Sequence, residues 1–213
     1  MPLLEPSLLS FDLTKLDQQL DEVKNAGALF IHYDVMDGIF VANKAFLTNE
    51  LAAIQKHGLK ANVHMMVKDV KSWISKFLSH PMNACVFHPE ACDKQTTLEC
   101  FELLKKHNVK FGIALKPYTN IQDYNWALTI AQYVCIMGVE PGKGGQLFIE
   151  FVMENIQYIH DFKTHHNPNM IIQLDGGVNT DIIKRTRGLI DNYVSGSFLM
   201  KQENKKPIFN LVK

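Results

Sequence analysis

The 213-residue sequence has no excess of charge of either sign, since 22 lysines and arginines balance 22 aspartates and glutamates. This balance argues against a nucleic-acid-binding surface and against binding to acidic lipids. The sequence also lacks an uninterrupted apolar run of the roughly 20 residues that a membrane-spanning helix needs. Residues 1–14 contain no basic segment followed by a long apolar stretch, so we expect no secretory signal peptide.

Cysteine and low-complexity sequence are also scarce. The four cysteines, Cys85, Cys92, Cys100 and Cys135, form no CxxC pair, and two of them lie in apolar runs. This usage is typical of reduced, structural thiols in a cytoplasmic protein and does not favour a zinc knot. No linker divides the chain, so we predict one domain over residues 1–213, with 46% hydrophobic residues to build its core.

Strand-like apolar runs alternate with helix-like segments along the whole chain. The predicted strands are residues 3–9, 29–35, 61–67, 83–89, 110–116, 133–139, 170–175 and 192–197. The clearest helical periodicity lies in residues 12–28, 47–58, 71–80, 97–108 and 148–163. Asp12 is suited to cap the first helix, and Gly27 and Gly58 stand where the first two helices should end.

This alternation predicts the fold class. Near-continuous apolar strands indicate a parallel sheet covered by helices. Eight strand–helix units in a chain of this length predict an α/β protein with a closed (β/α)8 TIM barrel, which needs about 200 residues or more. The competing layout is a doubly wound open sheet, but that layout usually has fewer strands, and the sequence lacks its GxGxxG opening turn.

Polar side chains interrupt the apolar pattern where several predicted strands end, which is where barrel enzymes place their active sites. His32 and Asp34 alternate in the second strand and so share a face, His64 lies in the third strand, and Asp175 ends the seventh. Burying charge there is costly unless something compensates it. A single buried histidine is best explained by ordinary hydrogen bonds. Two imidazoles and two carboxylates together predict a site for a divalent cation: Zn, Fe(II), Mn or Co.

Glycine-rich segments lie at the carboxyl ends of the last three predicted strands. They are EPGKGG at residues 140–145, DGG at 175–177 and SGS at 195–197. Glycine lets the backbone approach an anion closely, and barrel enzymes commonly bind phosphate with the loops after their last two strands. Any tight turn can contain one glycine pair, but three such turns in succession predict a phosphorylated ligand.

Two further sets of residues have less specific interpretations. Met36, Met66 and Met137 are expected to face inward near the mouth, as core filler or as an apolar wall around the reacting carbons. His88 and Glu90 end the fourth strand in the segment FHPE. For these two residues, hydrogen bonding at the rim is at least as good an interpretation as catalysis.

Taken together, these segments resemble the ribulose-phosphate 3-epimerase family over nearly the whole chain. The matching motifs are PSLLSFDL at 6–13, IHYDVMDGIFV at 31–41, VHMMV at 63–67, VEPGKGGQLF at 139–148, LDGGVN at 174–179 and VSGS at 194–197. Their occurrence in this order makes the resemblance specific. It implies a (β/α)8 barrel that interconverts D-ribulose 5-phosphate and D-xylulose 5-phosphate at C3, as an isomerase of carbohydrate metabolism in the pentose phosphate pathway.

The resemblance also implies roles for individual residues. One divalent metal per subunit would be held by His32, Asp34, His64 and Asp175, with Asp34 and Asp175 as the acid–base pair. The phosphorylated ketose would contact Ser7, His64, Gly142, Gly144, Gly145, Gly176, Gly177, Gly196 and Ser197, with Lys143 as a further phosphate contact. The family also implies a homo-oligomer; the charge balance and the absence of a long apolar run predict neither nucleic acid nor membrane as a partner.

A pair of carboxylates has a chemical rationale of its own. Inverting a carbon beside a ketone removes a proton from one face and returns a proton to the other, which two opposed carboxylates can do more readily than a single base. A divalent cation acting as a Lewis acid would stabilise the enediolate. It would also lower the cost of keeping two carboxylates ionised close together.

Three segments depart from the family pattern. Residues 40–49 read FVANKAFLTN, with Ala42 in place of the usual proline; Lys143 replaces an aromatic residue; and RGLIDN at 187–192 replaces an Ala-Gly-Ala segment. These departures concern the substrate-covering loops, and hence rate and sugar selectivity, more than the reaction type. The alternatives are a D-allulose-6-phosphate 3-epimerase, which FHPE also resembles, and a non-catalytic sugar-phosphate-binding relative.

Overall fold

The computed structural model describes residues 2–45 and 48–212, so positions 46 and 47 of one altered loop lie outside the described residues. The strands are β1 (Leu3–Pro6), β2 (Phe30–Asp37), β3 (Lys44–Ala45), β4 (Lys60–Met66), β5 (Ala84–Phe87), β6 (Lys110–Leu115), β7 (Tyr133–Met137), β8 (Ile171–Asp175) and β9 (Asn192–Ser195). The α-helices are α1 (Leu16–Ala26), α2 (Asn49–Lys56), α3 (Val70–Phe77), α4 (Lys94–Lys106), α5 (Asn125–Leu128), α6 (Val152–His166), α7 (Thr180–Arg185), α8 (Ser197–Met200) and α9 (Lys206–Leu211).

The strands form one sheet in the order β1-β9-β8-β7-β6-β5-β4-β2-β3. Eight of them run parallel, whereas the short β3 pairs antiparallel with the end of β2. The sheet curls so that β1 also meets β2, through a parallel bridge between Ser7 and His32. The predicted α/β class and the eight parallel strands are confirmed, while β3 was not predicted.

The first helix illustrates how the local sequence sets the boundaries of an element. The Asp12 side chain accepts a hydrogen bond from the backbone N–H of Thr14 at 3.1 Å and caps the short 3-10 turn that leads into α1. Leu20 and Val23 of α1 are fully buried in the main apolar core. The helix ends at Ala26 and is followed by Gly27, whose φ of 123° is a conformation that residues with a Cβ rarely adopt.

A buried glutamate lies inside the curled sheet, two residues before Ser7 on the first strand. The Glu5 carboxylate accepts hydrogen bonds from the side-chain amides of Asn62, Gln173 and Asn192 at 2.8, 2.8 and 2.6 Å. Burial raises the pKa of Glu5, against the opposing effect of these three amides and of the His32 charge. The three donors supply the partners that a buried polar group requires.

The four cysteine thiols form no disulfide bond, and three of them are buried. All four cysteines are free, and Cys85, Cys100 and Cys135 are buried, as expected for reduced structural thiols. Burial raises the pKa of Cys100 to about 12, so this thiol stays protonated at neutral pH. Within the described residues, no helix combines the length and apolar character needed to cross a membrane.

Candidate active site

Three strands bring four titratable side chains to one end of the curled sheet. His32 and Asp34 stand two residues apart on β2, and the strand register pairs Asp34 with His64 of β4. Asp175 is the last residue of β8. One ligand-type atom from each of the four side chains lies within 4.8 Å of the others. The structure therefore brings together the four residues that the sequence pattern had selected.

The two imidazoles alternate with the two carboxylates. His32 Nε2 lies 3.2 Å from Asp34 Oδ1 and 3.2 Å from Asp175 Oδ2. His64 Nδ1 lies 3.2 Å and 3.5 Å from the same two oxygens. Both imidazoles are fully buried. One oxygen of each carboxylate therefore lies close to a nitrogen of both rings.

This arrangement favours the charged form of every member. Burial lowers the pKa of His32, but the negative charges of Asp34 and Asp175 outweigh burial and hold that pKa well above its usual value. The pKa of His64 is also raised, because its bonds to the two carboxylates outweigh burial. Burial raises the pKa of each carboxyl group, yet the His32 charge and the facing nitrogens of both imidazoles together more than offset it, and both carboxyl pKa values are lowered. The imidazoles thus favour the ionised form of both carboxyl groups in the protein without bound substrate.

The cluster fits a divalent cation. His32 Nε2 is buried and makes no hydrogen bond within the described part of the chain, although two carboxylate oxygens lie close to it. In a tetrahedral zinc site, ligand atoms about 2.0–2.2 Å from the metal lie about 3.3–3.6 Å apart. The nitrogen–oxygen spacings of 3.2–3.5 Å are close to that range. Two imidazole nitrogens and two carboxylate oxygens also suit iron, manganese and cobalt.

Asp34 has a further hydrogen-bond partner. The Ser7 hydroxyl group donates to Asp34 Oδ2 at 3.0 Å, so one oxygen of this carboxylate faces the imidazoles while the other is held by serine. Ser7 follows β1 and forms the bridge that joins β1 to β2. The orientation of Asp34 is therefore fixed from a neighbouring strand.

A cavity of about 190 Å³ opens above the two carboxylates. Asp34, Asp175 and the three predicted methionines, Met36, Met66 and Met137, line it. All the predicted substrate contacts except His64 line the same cavity: Ser7, Gly142, Lys143, Gly144, Gly145, Gly176, Gly177, Gly196 and Ser197. His32 and His64 are fully buried and are not part of that lining. The carboxylates thus lie between the imidazoles and the space available to a ligand.

The glycine turns are tightly packed where they border the cavity. Gly177 has a φ of 69°, and a Cβ at this position would lie 2.7 Å from the backbone nitrogen of Phe148. The turn after β7 is braced by the Gln146 side chain, which donates to the carbonyl oxygens of Glu140 and Lys143 at 2.7 and 2.8 Å. The backbone there is held in place before any ligand binds, as an anion site requires.

The sequence pattern did not place His88 in contact with this cluster. His88 is fully buried, not exposed at a rim, and its Nε2 lies 3.0 Å from Nε2 of His64. Burial lowers the pKa of His88 to about 4. Burial raises the pKa of Glu90, but the nearby His88 ring and the hydrogen bond from Thr119 outweigh it and bring that pKa down to about 2. The signal available in the sequence was the position of His88 after Val86, on the inward face of its strand.

Solved structures share the overall fold. Tryptophan synthase from Mycobacterium tuberculosis superposes with a TM-score of 0.70 at 12% identity, covering 99% of this chain and 91% of the other. The tryptophan synthase alpha-subunit of Pyrococcus furiosus (D17N mutant) gives a TM-score of 0.67 at 12% identity, covering 99% and 96%. These similarities concern the fold alone.

Sequence comparison is more specific. The chain is 34% identical to the ribulose-phosphate 3-epimerase of Mycoplasma genitalium over 199 residues, covering 93% of this chain and 90% of the relative. It is 30% identical to the enzyme of that name from Helicobacter pylori strain J99 over 203 residues, covering 94% and 92%. The model of the Ribulose-phosphate 3 epimerase family matches residues 3–200. The chain therefore belongs to the ribulose-phosphate 3-epimerase family.

Proposed function

We propose that this protein is a metal-dependent epimerase that interconverts D-ribulose 5-phosphate and D-xylulose 5-phosphate at C3. One observation carries the proposal: Asp34 and Asp175 line the same cavity as the three glycine turns. A carbon held between the carboxylates and a phosphate held by the turns would belong to one small molecule. Family membership, with relatives that carry the name ribulose-phosphate 3-epimerase, supports the same reaction.

The chemistry assigned to the chain is two-base proton transfer. Asp34 lies on β2 and Asp175 on β8, and β9 and β1 lie between these two strands on the side of the sheet where Ser7 bridges to His32. In one direction, one carboxylate accepts the C3 proton while the other group, entering as the acid, donates a proton to the opposite face of that carbon. In the reverse direction the two groups exchange roles. The Ser7 hydroxyl group holds Asp34 in the orientation that this transfer needs.

The residues that would hold one divalent metal per subunit, Zn, Fe(II), Mn or Co, are His32, Asp34, His64 and Asp175. When bound, such a cation supplies Lewis-acid polarisation of the substrate oxygens and offsets the repulsion between the two carboxylates.

Binding of the phosphate is assigned to the glycine turns. The proposed contacts are the backbone groups of Gly142, Gly144, Gly145, Gly176, Gly177, Gly196 and Ser197, together with the side chain of Lys143. All of them line the cavity. The His64 side chain, expected from the resemblance to contact substrate, is fully buried and does not line the cavity, so its proposed role is at the metal site.

The domain organisation, cellular location and oligomeric state of the protein are also proposed. We infer a single catalytic domain over residues 1–213 with a closed (β/α)8 barrel, supported by the eight parallel strands and the bridge between Ser7 and His32. The four free cysteines support a reducing, cytoplasmic setting. Family membership supports a homo-oligomer, which light scattering of the purified protein would test.

The decisive experiment measures proton exchange at C3. Metal-loaded protein is incubated with D-ribulose 5-phosphate in deuterated solvent, and NMR follows the exchange of the C3 proton and the appearance of D-xylulose 5-phosphate. Asp34→Asn and Asp175→Asn should each abolish turnover. Asp93→Asn is the matched control, because Asp93 caps α4 through Thr96 and asparagine caps helices equally well.

The alternatives are outcomes of the same assay. If kcat/KM is much higher for D-allulose 6-phosphate than for D-ribulose 5-phosphate, the substrate is a hexulose phosphate and not a pentulose phosphate. Binding of both sugars without turnover of either would mean a non-catalytic relative. Near-normal turnover by both Asn variants would refute the assignment of the two carboxylates.

A further inference from the structure

The proposed proton transfer leaves one buried contact unexplained, the one between two histidine rings. His64 presents Nδ1 to the carboxylates of Asp34 and Asp175, at 3.2 Å and 3.5 Å. Its other nitrogen, Nε2, lies 3.0 Å from Nε2 of His88. His64 is therefore held between the metal-binding candidates on one side and a second imidazole on the other.

The positions of the protons decide whether His64 can bind a cation. Two facing ring nitrogens share one proton, so one of them donates and the other accepts. If a neutral His64 donates from Nε2, its Nδ1 carries a lone pair towards the carboxylate cluster, as a metal ligand must. If His88 donates instead, a neutral His64 carries its proton on Nδ1, and that proton would point at the cation.

Glu90 distinguishes these two arrangements. Its Oε2 lies 3.5 Å from Nδ1 of His88, and within the described residues neither of these buried atoms has a hydrogen-bond partner of its own. A carboxylate oxygen favours an N–H on the facing nitrogen and repels a lone pair. A proton on His88 Nδ1 leaves His88 Nε2 as an acceptor, so that His64 donates from Nε2. Glu90 thus favours the form of His64 that can bind a metal.

Glu90 is itself fixed. Its Oε1 accepts a hydrogen bond from the backbone N–H of Lys116 at 3.1 Å and another from the Thr119 hydroxyl group. With Oε1 occupied by two donors, Oε2 is the oxygen left to face His88. The Phe40 ring packs against His88 with 4.8 Å between ring centroids, which further restricts rotation of that ring.

We propose that His88 and Glu90 are positioning residues that hold His64 in the tautomer with a free Nδ1 lone pair, and so raise the affinity of this site for a divalent metal. The inference rests on the proposed metal-dependent function. Outer partners of metal-bound histidines typically change metal affinity about 10- to 100-fold when they are removed.

Glu90→Gln tests the proposal with minimal change in shape. The glutamine oxygen is expected to keep the position of Oε1, because Lys116 N–H and Thr119 both donate there. The amide NH2 group then faces His88 Nδ1 and donates to it, so the His88 proton moves to Nε2. His88 then donates to His64 Nε2, and a neutral His64 carries its proton on Nδ1. His88→Leu removes the acceptor for His64, whereas His88→Gln retains an amide oxygen that can replace it.

The measurement is zinc affinity of the full-length protein, by competition with a chromophoric chelator. Glu90→Gln and His88→Leu should weaken zinc binding by about 10- to 100-fold, and His88→Gln by less. Glu50→Gln is the matched control. Glu50 lies on α2 and, like Glu90, accepts a hydrogen bond from a hydroxyl group, that of Tyr33 at 2.6 Å. The zinc affinity of this variant should equal that of the wild type. Circular dichroism of each variant verifies that it is folded.

A second readout reports the protons directly. Nitrogen-15 NMR of histidine-labelled, zinc-loaded protein should give the Nε2–H form of His64 and the Nδ1–H form of His88, with the His88 signal altered in Glu90→Gln. Zinc affinities of Glu90→Gln and His88→Leu within twofold of the wild type, or the opposite tautomers in the wild type, would overturn the proposal. So would a wild-type protein that does not bind zinc.

The two proposals fail separately. A wild-type protein that epimerises the sugar while Glu90→Gln binds zinc normally would leave the reaction assignment intact and remove the role of Glu90. A wild-type protein without epimerase activity whose zinc affinity still depends on Glu90 would do the reverse.

Discussion

The side-chain amide of Asn43 donates a hydrogen bond to the backbone carbonyl of Gly142 at 2.7 Å, between positions 99 residues apart in the sequence. Asn43 follows β2, and Gly142 belongs to the turn after β7. Because Gly142 lines the cavity above the carboxylates, this bond anchors part of the cavity wall to a loop from a non-adjacent strand.

Asn43→Ala should therefore raise KM for the sugar phosphate about 2- to 10-fold, in line with the roughly 0.5–1.5 kcal/mol of a neutral hydrogen bond. We expect kcat to change less, because Asn43 is not among the residues lining the cavity. Asn43→Asp should be worse than alanine, since a carboxylate would face the Gly142 carbonyl. Steady-state kinetics of the wild type, Asn43→Ala and Asn43→Asp test this prediction, and an unchanged KM in both variants would contradict it.

The bond between Ser7 and Asp34 leads to a prediction for kcat. Ser7→Ala removes the donor that lies 3.0 Å from Asp34 Oδ2 and frees the carboxylate to rotate. Hydrogen bonds to charged groups contribute roughly 1.5–3 kcal/mol, so kcat should fall about 10- to 100-fold. Thr186→Val is the control. It also removes a buried hydroxyl group, one bonded to the Ile182 carbonyl, and should leave kcat unchanged. A Ser7→Ala enzyme with wild-type kcat would remove Ser7 from the mechanism.

The parts of the site that follow from local pattern were predictable. Alternation along a strand placed His32 and Asp34 on one face, and the ends of parallel strands brought His64 and Asp175 to the same edge. The glycine turns were recognisable because tight turns and close backbone approach demand glycine. In each case the signal lay within a few residues of the feature.

The parts that depend on distant partners were not predictable. Glu5 lies in a segment interpreted as an apolar strand, and the amides that accommodate its carboxylate come from Asn62, Gln173 and Asn192 on three other strands. The contact between His88 and His64 is likewise made across strands. The short β3 has two residues and no periodicity to detect. A single sequence has no pattern that pairs such residues.

Lys143 provides a third prediction, because it adds a positive charge to a turn that lines the cavity. Lys143→Met should raise KM for the phosphorylated ketose about 3- to 10-fold at low ionic strength, and the difference from wild type should shrink in high salt as charges are screened. Lys143→Arg should retain most of the affinity, since the charge persists. Lys56→Met, at the end of α2, is the control for loss of a surface charge. A KM for Lys143→Met that matches the wild type at low salt would exclude a phosphate contact.

A histidine far from the cavity leads to a prediction about stability. His57, at the end of α2, holds two carboxylates of α1: its Nδ1 lies 2.7 Å from Asp21 and its Nε2 lies 2.7 Å from Asp17. The Lys24 ammonium group also donates to the His57 carbonyl at 2.6 Å. These contacts join the first two helices on the outside of the sheet.

The pH dependence follows from the direction of the shifts. The bonds to Asp17 and Asp21 raise the pKa of His57 above its ordinary value, so its stabilising effect is complete below about pH 6.5 and is lost as the pH rises through the raised pKa. The bond to His57 lowers the pKa of Asp17, so that contribution is present above its ordinary value near 4 and is lost in acid. The free energy of unfolding of wild type minus that of His57→Gln, from urea titrations of chelator-treated protein, should therefore be larger at pH 6 than at pH 9. Equal differences at the two pH values would mean that the imidazolium charge contributes nothing to joining the helices.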